Sequence, residues 1–192
     1  MQLWDKFCVK TNPINPNFDV LLVLVNLQPF LENELVYLRP LREEDFESLY
    51  AIAKDPEIWE QHHSKRYLSK EFEIFFKDAM QSEGALVVLD KRGGHIIGSS
   101  QFRTVSGFRN IWEIGWTFLA RQYWGGIYNK AIKSLMFQYA FQYVDRIVFY
   151  IANDNIRSQK AAEKIGAKKN TTNTTTIDVP KKEHYITYIV HK

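Results

Sequence analysis

The stretch FLARQYWGGIYNKAIKSL, residues 118–135, carries a pair of glycines where an anion can bind. A strand-like run ends at Leu119, and an amphipathic helix is predicted to begin directly after Gly125 and Gly126. A helix N-terminus has unpaired N–H groups and the positive end of the helix dipole, and glycines in front of it leave the backbone accessible. Diphosphate groups bind at such corners. The pattern therefore predicts an anion-binding loop, although a glycine pair is also compatible with an ordinary turn.

A second candidate for chemistry is Glu113, in the run NIWEIGWTFLA. The run alternates as a strand does, so its large apolar residues are expected on one face: Trp112, Ile114, Trp116 and Phe118. Glu113, Gly115 and Thr117 are then expected on the other face. A carboxylate beside a glycine can take a proton from a substrate that comes close. The alternative is a solvated glutamate on a half-exposed strand.

The third candidate segment is NDNIRSQKAAEKIGA, residues 153–167. It predicts a short helix that is capped by Asn155 and ends at Gly166. Ser158 lies in its first turn, where it can simply support the cap. Lys160 and Lys164 are one turn apart, and they either meet a bound phosphate or are solvated.

The hydrophobic pattern predicts the elements that position these residues. A strand is predicted over residues 34–41, followed by helical segments over 42–55, 55–66 and 69–82, the last one capped by Ser69. Strands then form a hairpin around residues 92–94. A helix over residues 127–143 leads from the Glu113 strand to RIVFYIA, residues 146–152, an apolar run typical of a strand covered on both faces. Two last strands flank a turn at residues 180–182.

This order of elements predicts the fold class. A helical crossover between neighbouring strands makes them parallel with a right-handed connection, whereas a hairpin is antiparallel. We therefore expect an α+β fold with a mixed, mostly antiparallel central sheet, one βαβ unit and flanking helices.

Length and composition fit one domain with a full core. Residues 1–33 include the Asn- and Pro-rich KTNPINPNFD and are predicted to form an N-terminal extension, with the folded domain over 34–192. The apolar run at residues 20–25 is too short to span a bilayer.

Charge and cysteine usage narrow the classes of partner. The net charge of +3 is spread along the chain, which argues against a nucleic-acid partner. The single cysteine, Cys8, allows no internal disulfide and argues against a cysteine metal site. We expect a cytoplasmic protein, monomeric or homodimeric, that binds no metal, membrane or nucleic acid.

Taken together, these segments resemble the GNAT superfamily of acyl-CoA-dependent N-acetyltransferases, and in particular its RimJ/RimL branch. The resemblance spans roughly residues 34–190 and rests on YLRPLREEDFESLY, EIGWTF, YWGGIYNKAI and NDNIRSQKAAEKIGA. In this branch the cofactor loop often reads Trp-Gly-Lys-Gly-Tyr-Ala. Trp124 and Gly125 match that pattern, Gly126 stands in the lysine position, Ile127 replaces the second glycine and Asn129 replaces the alanine.

The resemblance implies that acetyl-CoA is the co-substrate. Its diphosphate would be held by the loop residues, which are Trp124, Gly125, Gly126, Ile127, Tyr128 and Asn129. Its pantetheine arm would pair with the strand end, which comprises Thr117, Phe118 and Leu119. Asn155 would hydrogen-bond to the cofactor, and Lys160 would meet its phosphates.

The resemblance also implies that Glu113 is the catalytic base. In many members a tyrosine acts as the acid, on the helix that here covers residues 156–166. This helix contains no tyrosine, so Ser158 is the predicted acid instead. Tyr185 is an alternative acid, and a thiolate can also leave without one. The acceptor would be a primary amine, either a protein N-terminus or a small molecule, bound near His62 and His63. The alternative function is an acyl-CoA-binding module with little or no turnover.

Overall fold

The computed structural model describes residues 25–171 and 182–192 of the chain. The strands within these residues form one sheet of eight. In chain order they are β1 (Leu31–Glu32), β2 (Val36–Pro40), β3 (Ala85–Asp90), β4 (Ile96–Val105), β5 (Phe108–Leu119), β6 (Arg146–Ala152), β7 (Lys168–Lys169) and β8 (Tyr185–His191). The α-helices of the same residues are α1 (Phe46–Ala53), α2 (Ser69–Gln81), α3 (Ile127–Ala140) and α4 (Ile156–Lys164). The helical segment predicted over 55–66 forms only a short 3-10 helix, Pro56–Trp59, so that prediction is wrong beyond residue 59.

The sheet has the predicted mixed character. Its strand order is β1-β2-β3-β4-β5-β6-β8-β7. The pair β5–β6 is parallel and is connected through α3, whereas the other neighbouring strands pair antiparallel. The prediction of an α+β fold with one βαβ unit in a mostly antiparallel sheet is confirmed.

The parallel pair β5–β6 separates part of the way along its length. The two strands are in register only over residues 111–113 of β5 and 146–148 of β6. Beyond Glu113 and Val148 the strands have no ladder between them, although both continue for several residues. The sheet is therefore open between the second halves of β5 and β6.

A β-bulge in β5 changes which side chains face each side of the sheet. Ser99 pairs with Phe118 and Gln101 pairs with Gly115, so the bulged strand has one residue more than β4 between these pairs. Trp116 lies in this bulge with a φ of +52°. The expected alternation is therefore wrong beyond Ile114, because an inserted residue reverses the faces of the residues that follow it.

Each face of the sheet has its own hydrophobic core. On the α3 side, Trp112 and Ile114 pack with the buried residues of α3, including Ile132 and Met136. On the α1 and α2 side, Phe118 packs in an aromatic cluster whose other members include Trp59, Phe72 and Phe75. The buried residues of α2 recur at helical spacing, so one face of this helix packs into the aromatic cluster: Phe72, Phe75, Phe76 and Ala79.

The helix ends follow local sequence signals, with two differences. α4 ends before Gly166, which has a φ of +90°, as predicted. The expected cap of α2 is wrong, because Leu68 is the N-cap residue and Ser69 Oγ instead donates a hydrogen bond to Glu73 Oε1. α3 ends at Ala140, short of the predicted end, and a turn follows it.

Residues 25–33 contribute to the sheet. β1 pairs antiparallel with β2, and Gln28 Nε2 donates a hydrogen bond to the carbonyl oxygen of Ala85 at 3.0 Å. The division of the chain at Glu34 stays a prediction, since residues 1–24 lie outside the described residues. Most of the apolar run at 20–25 and the start of the turn at 180–182 lie outside them as well. Within 25–171 and 182–192, no helix is long and apolar enough to cross a membrane.

Candidate active site

The glycine corner between β5 and α3 is open. Gly125 has a φ of +68°, which favours glycine, and a Cβ built on it meets nothing within 4 Å. Gly126 is the N-cap residue of α3, and a Cβ there meets only the carbonyl oxygen of Trp124, at 3.9 Å. Trp124 Nε1 donates a hydrogen bond to the carbonyl oxygen of Leu119 at 2.8 Å, which fastens the loop to the end of β5. The first turn of α3 is therefore accessible beside two bare glycines.

A groove of about 750 Å³ extends from this corner. Its walls are the end of β5, the glycine loop and one side of α4. Four basic side chains line it: Lys130, Arg157, Lys160 and Lys164. Arg157 stacks over the Trp124 ring with its Cζ 4.3 Å from the ring centroid. A helix N-terminus together with this positive charge suits a diphosphate.

Most residues predicted to bind the cofactor line this groove. They are Thr117, Phe118, Leu119, Trp124, Gly125, Gly126, Asn129 and Lys160. The side chains of Ile127 and Tyr128 lie elsewhere. Ile127 is 61% exposed, and Tyr128 Oη donates a hydrogen bond to Asp90 Oδ1, which raises the pKa of Tyr128. Only the main chain of these two residues is left to contact a ligand in the groove.

A smaller cavity of about 240 Å³ lies in the opening between β5 and β6. Gly115 and Thr117 of β5 line it, together with Tyr150 and Ala152 of β6. Residues of the connection between α1 and α2 also reach it, namely His62, His63, Ser64 and Arg66. The groove and the cavity share several lining residues: His62, Thr117, Asn129, Ser158, Ala161 and Ile165. The two therefore adjoin, and they form one path from the glycine corner into the sheet.

Asn155 and Ser158 lie where the path meets α4. Asn155 is buried and accepts a hydrogen bond from Ser158 N at 3.0 Å, so it is the predicted N-cap of the helix. Its Nδ2 is 3.4 Å from His62 Nε2. Asn155 lines the smaller cavity, whereas Ser158 lines both spaces. A contact between Asn155 and a cofactor, and an acid role for Ser158, stay predictions.

Glu113 is a buried carboxylate with an ammonium partner. It is 8% exposed, so the alternative of a solvated surface glutamate is wrong. Its two oxygens accept hydrogen bonds from Lys182 Nζ at 3.0 and 3.2 Å, and Lys182 Nζ lies 4.1 Å from the centroid of the Tyr150 ring. Burial raises the pKa of Glu113 above its ordinary value of 4.5, while the charges of Lys182 and Arg103 oppose that rise. A Cβ on Gly115 would lie 3.8 Å from Glu113 Oε1, so the carboxylate is close to the wall of the smaller cavity.

Two further residues line this path, Lys133 and His62, and the sequence had predicted a role for neither of them. Lys133 of α3 is buried, donates hydrogen bonds to Ser100 Oγ and Thr117 Oγ1, and has its pKa lowered to about 7 by burial. His62 lines both spaces, and burial lowers its pKa to about 4, so it is neutral at pH 7. A signal for Lys133 exists, because it follows Ile132 on the apolar stripe of a helix and lies one turn after Asn129.

Comparisons with known proteins agree on the fold. The family model of the acetyltransferase (GNAT) domain matches residues 36–168. An acetyltransferase of the GNAT family from Bacillus anthracis superposes with a TM-score of 0.67 at 18% identity, covering 84% of this chain and 96% of that one. RimJ from Mycobacterium smegmatis, in complex with CoA-disulfide, gives 0.60 at 15%, with coverages of 85% and 86%. Spermidine N-acetyltransferase from Vibrio cholerae, in complex with CoA and spermine, gives 0.61 at 15%, with coverages of 83% and 96%.

Proposed function

The chain belongs to the GNAT acetyltransferase family, and from that premise we propose that it transfers an acetyl group from acetyl-CoA to a primary amine. The observation that carries the proposal is the path through the fold. A basic groove at a helix N-terminus adjoins a cavity beside a buried carboxylate, and the two meet at Thr117 and Ser158. A long anionic donor and an amine acceptor can then enter from opposite ends.

The groove supports binding of acetyl-CoA. The main chain at Gly125 and Gly126 and the first turn of α3 would hold the diphosphate, with Lys130, Lys160 and Lys164 supplying positive charge. The RimJ and spermidine acetyltransferase structures with this fold hold CoA compounds. Bound acetyl-CoA supplies an acetyl group that is activated as a thioester.

Glu113 would act as the base. An amine must lose a proton to become an amide, and a carboxylate whose pKa is raised by burial is better matched to that task at neutral pH than a solvated one. The carboxylate oxygen would take the proton from the acceptor nitrogen, directly or through water.

The position of Lys182 supports an amine as the acceptor. Its ammonium is bound by the Glu113 carboxylate and lies over the Tyr150 ring, and this pair of groups suits any primary ammonium. Lys182 is half exposed, with 45% of its side chain accessible, so it can leave. An acceptor amine would take the place of Lys182 beside Glu113.

Lys182→Met is therefore expected to lower KM for an amine acceptor by roughly two- to fivefold, since a partly exposed ion pair is worth up to about 1 kcal/mol. The acidic limb of the kcat/KM profile should also move to higher pH, because Lys182 opposes the rise in the pKa of Glu113. Steady-state kinetics across pH measure both effects. Lys77→Met, an exposed lysine of α2, is the matched control. An unchanged KM and an unmoved limb would contradict the assignment of this amine site.

The proposed function is tested by calorimetry with CoA and acetyl-CoA, followed by a transfer assay. The acceptor panel contains peptides with a free N-terminus, polyamines and small primary amines, and acetylated products are identified by mass spectrometry. Binding with transfer to at least one amine is the expected result. Binding without transfer to any of them would favour an acyl-CoA-binding module. Absence of CoA binding would overturn both the acetyltransferase function and the acyl-CoA-binding module.

A further inference from the structure

Lys133 carries a buried amine that has no anionic partner among the described residues. It is 4% exposed, and its Nζ lies 2.8 Å from Ser100 Oγ and 2.6 Å from Thr117 Oγ1. Both partners are neutral hydroxyls. An ammonium that is buried without a carboxylate is costly, so a lysine at such a position is suited to meet a negative charge that comes with a ligand.

The position of Lys133 within the path indicates which charge that is. Lys133 lines the smaller cavity, and Thr117, to which it donates, lines both the cavity and the groove. Phosphates would lie at the far end of the groove, near Gly125 and Gly126, and the acceptor amine would lie at the other end, near Glu113. The reacting thioester must lie between them, where the two spaces meet beside Lys133.

We propose that Lys133 is the acid of the transfer reaction, holding the leaving sulfur of CoA and giving it a proton. This inference rests on the proposed function. As the bond between the acetyl carbon and sulfur breaks, the sulfur keeps the electron pair, and Lys133 Nζ passes it one proton. The acceptor ammonium first gives up one proton to water by way of Glu113, and its nitrogen, once bonded to the acetyl carbon, loses a second proton to Glu113. Proton exchange with water then returns Glu113 and Lys133 to their starting states, so atoms and charge balance.

Other candidate acids on the path are less suited to this step. Burial and the nearby Glu113 charge raise the pKa of Tyr150 to about 12, so its hydroxyl gives up a proton reluctantly. Ser158 offers an aliphatic hydroxyl, which is a weaker acid still. The pKa of Lys133, at about 7, lies near the operating pH that favours proton transfer in both directions.

Burial alone causes the lowered pKa of Lys133. The ionisable side chains that line the same cavity belong to the α1–α2 connection, to β6 and to β8, and they are His62, His63, Arg66, Tyr150 and Tyr185. The cavity is also lined by the hydroxyls of Thr117 and Ser158 and by the amide of Asn155, the N-cap residue of α4, while Ser100 of β4 contacts Lys133 Nζ directly. A thiolate beside Lys133 would raise the pKa of the lysine, and Lys133 would lower the pKa of the thiol by the same coupling.

The test is the titration of CoA bound to the protein, followed through the ultraviolet absorbance of its thiolate. In the wild-type protein the bound thiol is expected to have a pKa about one to three units below that of free CoA. Lys133→Met should abolish that difference while calorimetric affinity for CoA is kept within a few fold. Lys77→Met should behave as wild type. Equal thiol pKa values in the wild type and Lys133→Met would overturn the inference, whereas a wild-type protein that binds no CoA would overturn the proposed function instead.

Activity and folding provide the remaining readouts. Lys133→Met should lower kcat by roughly a hundredfold, at the lower end for acid catalysis, and it should remove the alkaline limb of the kcat profile. The variant is expected to fold, because methionine is apolar and only one atom shorter than lysine, and the hydroxyls of Ser100 and Thr117, 2.8 Å apart, still bond to each other. Should it not fold, the wild type decides alone: a bound thiol that titrates no lower than free CoA would overturn the inference.

Discussion

Glu113→Gln is expected to lower the rate of acetyl transfer at neutral pH by about 10²- to 10⁴-fold, the usual contribution of a general base. Glutamine keeps the shape of the side chain and can still accept a hydrogen bond from Lys182, but it cannot take a proton. Affinity for CoA should be unchanged, because Glu113 does not line the groove. Steady-state kinetics and calorimetry on the same preparations measure the two quantities.

The pKa of Glu113 determines in which direction the activity of the wild type changes with pH. Glu113 must be ionised to act as a base, and burial raises its pKa above 4.5. Activity should therefore be present above that raised pKa and lost as the pH falls through it, at a higher pH than for an ordinary glutamate. The deficit of Glu113→Gln should shrink at alkaline pH, where more of the acceptor amine is already neutral and hydroxide can remove the proton.

The matched control is Glu183→Gln, which removes an exposed carboxylate next to Lys182 in the chain. It should leave both the rate and its pH profile close to wild type. A loss in Glu113→Gln that is equal at every pH would show that Glu113 holds the site together without taking a proton.

The residues that sequence reasoning identified correctly share a local cause. The apolar run of β6 and the cap at Asn155 depend on interactions within a few residues of the chain, and their positions agree with the structure. The glycine corner is local in the same sense, because Gly125 and Gly126 immediately precede the first residue of α3. Such features can be predicted because side-chain periodicity and capping chemistry are properties of short segments.

The features that escaped prediction depend on contacts between distant segments. The bulge at Trp116 exists because β5 pairs with β4 in a register that leaves one residue over, and nothing in the β5 sequence alone fixes that register. Lys133 lines the smaller cavity because α3 packs over β4 and β5, which brings its amine to Ser100 and Thr117. The partner of Glu113 comes from Lys182, many residues further along the chain. Each of these requires the sheet to be assembled first.

Gly126→Val is expected to weaken CoA binding by roughly ten- to a hundredfold, equivalent to one charge-assisted hydrogen bond of about 1.5–3 kcal/mol. A branched side chain at the N-cap of α3 would fill the space through which a phosphate reaches the first helical N–H groups. The protein itself should tolerate the change, because a Cβ at this position meets only the Trp124 carbonyl oxygen, at 3.9 Å, and the backbone there has φ −107° and ψ −155°. Calorimetric titration with CoA measures the effect.

Gly126→Ala is the control that separates the effect of side-chain size on binding from the effect of losing the glycine N-cap. Alanine and valine are both poor N-cap residues, so both variants should lose a similar amount of helix stability, on the order of 0.5–1 kcal/mol relative to glycine. They differ in the two methyl groups that only valine places in the opening. If the corner holds the diphosphate, affinity falls from glycine to alanine to valine while the thermal unfolding of the two variants stays alike. Equal affinity across the series would place the diphosphate elsewhere along the groove, at Lys160 and Lys164, and would remove Gly126 from the binding site.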